Sequence, residues 1–281
     1  MDSNETPVKP TVLDYDDIVK MVPKLQGKKK FVNGLLKFLS VDKVNKLHSD
    51  NCHTPGHEFT NGLLRDLDIK LKIDNEEVLN NLPEGAFITV SNHPFGALDG
   101  ISLINVVGNR RPEFKVMVNM VLNYISAMRP NFIAVDALAS DDPKKKAVSM
   151  NGIKQAIMHV RRGNPIGFFP AGAVSKVNIK GELEDRDWQP TIIRLIQQMK
   201  VPVVPIYFHG SNSWWFNFLG VVCWQLRTLR LPAEVFRKKG KTLHISIGDP
   251  ISVEEQLAHA GSVEELGKFL KDKTYALRQC K

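Results

Sequence analysis

From Ala86 onward, short β-rich runs alternate with amphipathic segments of helical period, and this alternation constrains the fold more than any other feature of the chain. Ala86–Ser91, Phe114–Asn119, Asn131–Asp136, Pro165–Phe169, Val203–Phe208 and Thr242–Gly248 read as strands. The segments between them read as helices. Asp142-Pro143 is a start signal, an N-cap followed by proline in the first turn, for a helix carrying Met150, Ile153, Ile157 and Val160 on one face. Strands joined by helical crossovers predict an α/β fold: a mixed, largely parallel central sheet flanked by helices.

The pattern before residue 86 differs. Residues 1–13 read as a loose tail, and Asp14 to about Leu64 as mostly helical, with Phe31, Val32, Leu35, Leu36 and Leu39 at helical spacing. Leu67, Ile69, Leu71 and Ile73 then alternate with Asp68, Lys70 and Lys72, the pattern of a half-buried strand at a sheet edge. The expected organisation is an N-terminal tail and mainly helical region over 1–85 and an α/β domain over 86–281. No Pro/Gly/Ser linker separates them, so they are expected to pack as one unit.

With 281 residues and 43% apolar composition, the chain can bury a substantial core. Its formal net charge of +8 favours polyanions, whether nucleic acid, anionic lipid or an acidic carrier protein. Three cysteines, Cys52, Cys223 and Cys280, lack metal-type spacing, which argues against a zinc site or a disulfide framework and for a reducing compartment. The start, MDSNETPVKP, has no signal-peptide pattern. The longest stretch free of Asp, Glu, Lys and Arg, Val201 to Leu226, is broken by Pro202, Pro205 and Gly210-Ser211-Asn212-Ser213 and is not expected to span a membrane.

The segment Phe87-Ile88-Thr89-Val90-Ser91-Asn92-His93-Pro94-Phe95-Gly96-Ala97-Leu98-Asp99-Gly100 carries the clearest chemistry. A β-run delivers His93 to its carboxyl end, Pro and Gly make a turn, and Asp99 opens a helix, the place where α/β sheets present ligands. A histidine held by a carboxylate is a competent general base near neutral pH. The same residues also fit a turn histidine beside a helix-capping aspartate, and spacing alone does not separate the two readings. Two further turns, Gly167-Phe168-Phe169-Pro170-Ala171-Gly172-Ala173-Val174-Ser175-Lys176 and Val201-Pro202-Val203-Val204-Pro205-Ile206-Tyr207-Phe208, bring small residues and backbone N–H groups to strand ends.

Taken in order, these blocks resemble the glycerolipid acyltransferase superfamily of the 1-acyl-glycerol-3-phosphate type, with its Asn-His...Asp, Phe-Pro-Glu-Gly-type and Val-Pro-hydrophobic-x-Pro motifs. The resemblance runs from about Phe87 to Ile251 and implies a glycerol-3-phosphate acyltransferase-like fold. Five residues separate His93 from Asp99 where the superfamily usually has four. Ala137 and Ala171 stand where many members place an arginine and a glutamate that hold glycerol phosphate. Asn92-His93-Pro94-Phe95-Gly96, Phe169-Pro170-Ala171-Gly172 and Phe208-His209-Gly210-Ser211-Asn212-Ser213 are more similar to the bacterial hemolysin-like branch, which includes aminolipid O-acyltransferases.

The resemblance implies an O-acyltransferase that moves a fatty acyl group from an acyl thioester, acyl-carrier protein or acyl-CoA, to the hydroxyl of a lyso-aminolipid or lysophospholipid. His93 would be the general base and Asp99 its partner, with no bound cofactor or metal. Asn92, Phe95, Gly96, Gly172, Ser175, Lys176, Pro205 and His209 are the candidate substrate contacts, and N–H groups near Gly96 or Gly172 are candidate oxyanion donors. For Ser175 and Lys176 a solvated loop is the competing reading; His209 would either touch the acceptor or satisfy loop carbonyls. The altered spacing and the two alanines leave open a non-catalytic lipid-binding protein on the same fold.

Trp214, Trp215 and Trp224 cluster with Phe216 and Phe218, followed by Arg227, Arg230, Arg237, Lys238, Lys239 and Lys241. Aromatic rings beside cations suit a head-group boundary, as well as a core helix with a basic tail. Trp214, Trp215 and Phe218 are the candidate membrane contacts, with Lys28-Lys29-Lys30 a second site facing an anionic surface or acidic partner. The expected location is cytoplasmic, peripheral on the inner face of the plasma membrane. No nucleic-acid module accompanies the charge, and no Gly-x-Ser-x-Gly, phosphate-loop, dinucleotide or His-Glu-x-x-His signature is present.

Overall fold

A computed structural model describes residues 8–136, 143–178, 181–222 and 224–279. Ala137, Asp142, Cys223, Cys280 and the side chain of Trp224 lie outside what is described. Nine strands are present among the described residues: β1 (Lys70–Asp74), β2 (Ile88–Ser91), β3 (Lys115–Asn119), β4 (Phe132–Val135), β5 (Ile166–Phe168), β6 (Lys176–Val177), β7 (Leu183–Glu184), β8 (Val203–His209) and β9 (Thr242–Ile247). Seven form one sheet in the order β1-β9-β8-β2-β5-β3-β4, and β6 and β7 form a small hairpin. Every neighbouring pair in the large sheet is parallel except β8 with β9. The six strands expected after Ala86 all form, and the alternating Leu67–Ile73 run supplies β1 at the sheet edge.

Helices cover both faces. They are α1 (Tyr15–Met21), α2 (Lys29–Phe38), α3 (Val41–Asn51), α4 (His57–Asp66), α5 (Glu76–Asn80), α6 (Ala97–Gly108), α7 (Pro143–Arg161), α8 (Pro190–Met199), α9 (Trp214–Val222), α10 (Trp224–Leu229), α11 (Leu231–Arg237), α12 (Val253–Ala258) and α13 (Val263–Ala276). On one face Phe59 and Leu63 of α4 and Leu98, Leu103 and Ile104 of α6 pack with Val204, Ile206 and Phe208. On the other, Ala156 and Val160 of α7, Ile193 and Ile196 of α8 and Leu266 and Leu270 of α13 pack with Ile88, Val90 and Ile166. Burial on both faces explains why β2 reads as a continuous run: all four of its residues are fully enclosed.

The N-terminal helices are not a separate body. β1 pairs along its length with β9, so the central sheet takes its edge strand from before residue 86. Residues 9–13, expected to be loose, are pinned instead: Asn45 Oδ1 accepts the Val12 and Leu13 N–H groups, and Lys9 N–H donates to Ser126 Oγ. Side chains distant in sequence satisfy this backbone, which a local reading cannot see. In α7 the buried stripe is Gly152, Ala156 and Val160, with Ile153 and Ile157 flanking, while Met150, expected on the inner face, is exposed. A Cβ at Gly152 would lie 2.5 Å from the Ala134 carbonyl oxygen, so α7 approaches β4 through that glycine and turns Met150 outward.

The topology also sets the site. β2 leads through α6 to β3 on one side, whereas β5 leads back past β2 to β8 on the other. Connections diverge above the carboxyl ends of β2 and β5, where open α/β sheets hold their ligands.

Candidate active site

His93 follows β2 by two residues, and Asp99 is the third residue of α6. Gly96 caps the helix at φ +80°, and a Cβ there would lie 2.7 Å from Leu231 Cδ2, so glycine is required by both backbone and space. The turn places His93 Nδ1 3.0 Å from Asp99 Oδ2. The contact is off-axis, without hydrogen-bond geometry, and Asp99 Oδ1 has no hydrogen-bond partner among the described residues. The same Oδ2 accepts the N–H groups of Phe95 at 2.8 Å and Gly96 at 2.9 Å. Asp99 therefore caps α6 and faces the histidine at once.

Asp99 is 0% exposed. Burial raises its pKa above the usual carboxylate range, against the opposing pull of His93 and the two N–H donors. His93 remains reachable, with 19% of its side chain exposed, and its ring packs on Phe169 at 4.2 Å between centroids. Asn92 fixes the end of β2 by donating to the Phe208 carbonyl (2.9 Å) and accepting its N–H (2.7 Å). Asn212 Nδ2 holds the turn through the carbonyls of Pro94 and Phe95.

A second buried carboxylate, unremarked in the sequence, ties the loop after β5 to His93. Asp185 is 4% exposed; its Oδ1 accepts the Ser175 hydroxyl at 2.5 Å and the His93 N–H at 3.2 Å, and its Oδ2 accepts Trp188 Nε1–H at 3.3 Å. Burial raises its pKa as well. The Ser175 N–H donates to the His93 carbonyl, and Arg227 donates to the carbonyls of Ser175 and Val174. Arg227, expected in a cationic rim, is buried beneath the loop instead.

Beside Asn92 opens a cavity of about 220 Å³ whose walls include Ser175, Tyr207, His209, Ser211 and Arg278. On the neighbouring strands Asp74, His209 and His244 bring one potential ligand atom each to within 4.8 Å of one another, residue types that also serve zinc. Hydrogen bonds join them: His244 Nε2 and Ser246 Oγ to Asp74 Oδ2, and His209 Nε2 to Ser246 Oγ. The rings of His209 and His244 stack at 4.1 Å, 12° from parallel. Burial, followed by the charges of His244, Lys72 and Arg278, lowers the pKa of His209.

Residues 31–281 match the acyltransferase family. The chain belongs to that family. It is 29% identical over 280 residues to a lyso-glycine lipid O-acyltransferase of Bacteroides thetaiotaomicron, spanning 95% of this chain and 97% of that one. A lyso-glycine lipid O-acyltransferase of Phocaeicola vulgatus is also 29% identical, over 93% of this chain and 94% of its own length. The fold matches the crystal structure of the 1-acyl-sn-glycerophosphate acyltransferase PlsC from Thermotoga maritima with a TM-score of 0.51 at 14% identity, covering 89% of this chain and 88% of that one. The protein is an acyltransferase enzyme with a mixed, mostly parallel sheet flanked by helices, as its sequence implied.

In this acyltransferase the candidate residues divide by position. His93, Asp99, Asn92, Phe95 and Gly96 form one turn, and Ser175 and His209 reach the adjoining cavity. Lys176 is exposed on the β6–β7 hairpin, and Pro205 is enclosed within β8. Gly172 lies against Gln189, whose Nε2 is 1.9 Å from where a Cβ would sit. The N–H groups of Gly96 and Gly172 are committed to Asp99 and to the Phe169 carbonyl, so neither is the oxyanion donor in this arrangement. No described helix of the acyltransferase is long and apolar enough to cross a membrane. Trp214, Trp215 and Phe218 are exposed on α9, with Trp214 74% exposed, and each tryptophan stacks on Phe218.

Proposed function

We propose that this acyltransferase transfers a fatty acyl group from an acyl thioester to the hydroxyl of a lyso-aminolipid with a glycine head group, using His93 as general base. The observation that carries this reading is the His93–Asp99 contact at 3.0 Å, inside a chain whose two curated relatives, matched over nearly their full length, act on lyso-glycine lipid. With Nδ1 turned to Asp99, Nε2 is the ring atom left to accept the acceptor's hydroxyl proton as the oxygen attacks the thioester carbonyl. Asp99 stabilises the imidazolium so formed. Collapse of the tetrahedral oxyanion expels the thiolate, which takes the proton from His93, leaving ester and free thiol with no covalent acyl-enzyme. General-base assistance of this type contributes ~10²–10⁴-fold.

The lipid is met at an anionic membrane surface, on the inner face of the plasma membrane. Exposed Trp214, Trp215 and Phe218 support this, as do Phe31, Leu35 and Phe38 exposed on α2 beside Lys28, Lys29 and Lys30. The thioester is either acyl-carrier protein or acyl-CoA, both anionic and suited to the +8 chain.

Purified protein incubated with synthetic lyso-glycine lipid and each thioester in turn should yield the diacylated lipid by mass spectrometry. His93→Ala should abolish product while keeping the wild-type circular dichroism spectrum. Full turnover by that variant would remove the proposed base.

A further inference from the structure

We propose that the cavity beside Asn92 is the site for the acceptor's carboxylate, with Arg278 as the group that reads its charge. This rests on the glycine-lipid reading above, because a glycine whose amine is acylated keeps its carboxylate as the sole charge of the head group.

Location comes first. Asn92, in the cavity wall, is the residue immediately before His93, and Ser175, also in the wall, is bonded through its N–H to the His93 carbonyl. A head group seated there lies beside the proposed base, with the lipid's hydroxyl a few bonds away. Another part of the wall comes from late in the chain: Arg278 lies in the 3-10 turn Leu277–Gln279 that follows α13.

Charge comes second. The Arg278 guanidinium acts on Tyr207, His209 and Glu184, which places its field over the cavity. Glu184, the residue after Leu183 of the wall, is paired with Lys271 at 3.0 Å, so its charge is already met. Asp185 stands behind Ser175 with both oxygens occupied. The cavity wall thus offers one permanent cation, Arg278, beside the hydroxyls of Ser211 and Tyr207.

That balance fits a monoanion. A planar guanidinium matches a carboxylate through two parallel N–H donors. A phosphomonoester carries about −1.5 to −2 charges at neutral pH, more than the one permanent cation of the wall neutralises. The site is therefore assigned to a carboxylate and not to a phosphate.

The test compares lyso-glycine lipid, its methyl ester and lysophosphatidate as acceptors, in wild type, Arg278→Gln and Arg278→Lys. Arg278 is solvent-exposed, and unchanged melting temperatures check that the variants fold. Wild type should favour the acid over the ester by about 10–100-fold in kcat/KM, the worth of a charge-assisted hydrogen bond. Arg278→Gln should collapse that ratio toward one, chiefly through KM, and Arg278→Lys should restore part of it. An acid-to-ester ratio equal in wild type and Arg278→Gln overturns this assignment while leaving the glycine-lipid function standing. Transfer to lysophosphatidate with none to either glycine form overturns both.

Discussion

Oδ2 of Asp99 lies 3.0 Å from Nδ1 of His93 and at the same time accepts the N–H groups of Phe95 and Gly96 that begin α6. One atom therefore faces the proposed base and caps a helix at once, and substitutions can separate the two. Asp99→Asn keeps an oxygen for the two N–H donors and removes a charge that burial makes costly, so its melting temperature should equal or exceed wild type. Its transfer rate should fall by ~10²–10⁴-fold. Asp99→Ala should lose activity and also about 1 kcal/mol of helix capping. An Asn variant with wild-type turnover would show the carboxylate to be a cap only.

Asp185 holds the Ser175 loop against His93 and should act through that position. Asp185→Ala leaves the Ser175 hydroxyl and Trp188 Nε1 without their buried acceptor, a loss of about 1–3 kcal/mol in chemical denaturation. Asp185→Asn retains an oxygen toward Ser175 and His93 and should be the milder change. Both should lower kcat, since small misplacement of a reacting group costs up to ~10²-fold. Wild-type kcat in Asp185→Ala would detach the loop from the chemistry.

Removing the exposed rings of α9 should separate membrane contact from transfer. The triple variant Trp214→Ser, Trp215→Ser, Phe218→Ser should fail to sediment with anionic vesicles yet acylate short-chain acceptors dispersed in solution. Co-sedimentation equal to wild type would place the contact elsewhere.

His48 gives a pH dependence of defined sign. Its Nδ1 bonds the Pro10 carbonyl and its Nε2 accepts the Ala127 N–H, while burial lowers its pKa against the opposing effect of Pro10. A histidine with a depressed folded pKa contributes stability that is present above its unfolded value of about 6.5 and lost as pH falls through the folded value. The melting temperature should drop between pH 7 and pH 5 more steeply in wild type than in His48→Gln. His159 and His209, also lowered, remain in both proteins and cancel in the difference. Parallel curves would remove His48 as a contributor.

The sheet and the His93–Asp99 turn were legible for a common reason: both are local. Strands buried on two faces announce themselves as unbroken apolar runs, and a five-residue turn confines its two ends to a small volume whatever surrounds it. The β6–β7 hairpin left no mark because two-residue strands have no period. Asp185 looked like one more charge in Glu182-Leu183-Glu184-Asp185-Arg186-Asp187; only Trp188, Ser175 and Tyr275 closing around it make it a buried anchor. Arg278 and Asp74 reach the neighbourhood of His209 from opposite ends of the chain, and no local pattern predicts such a meeting. Arg227 misled for the opposite reason: a cation in a basic run looks solvated until its carbonyl partners are seen.

The pairing of β1 with β9 joins residues 172 positions apart, and β9 stands between β1 and β8. During synthesis, Lys70–Asp74 therefore waits without a partner until Thr242 has left the ribosome. Closing the sheet is a late, long-range event of the kind that slows folding and exposes strand edges to other chains. A nascent or truncated chain ending before Thr242 carries two such open edges, β1 and the outer side of β8, so the final strand acts as the seal that keeps copies of this enzyme from pairing with one another.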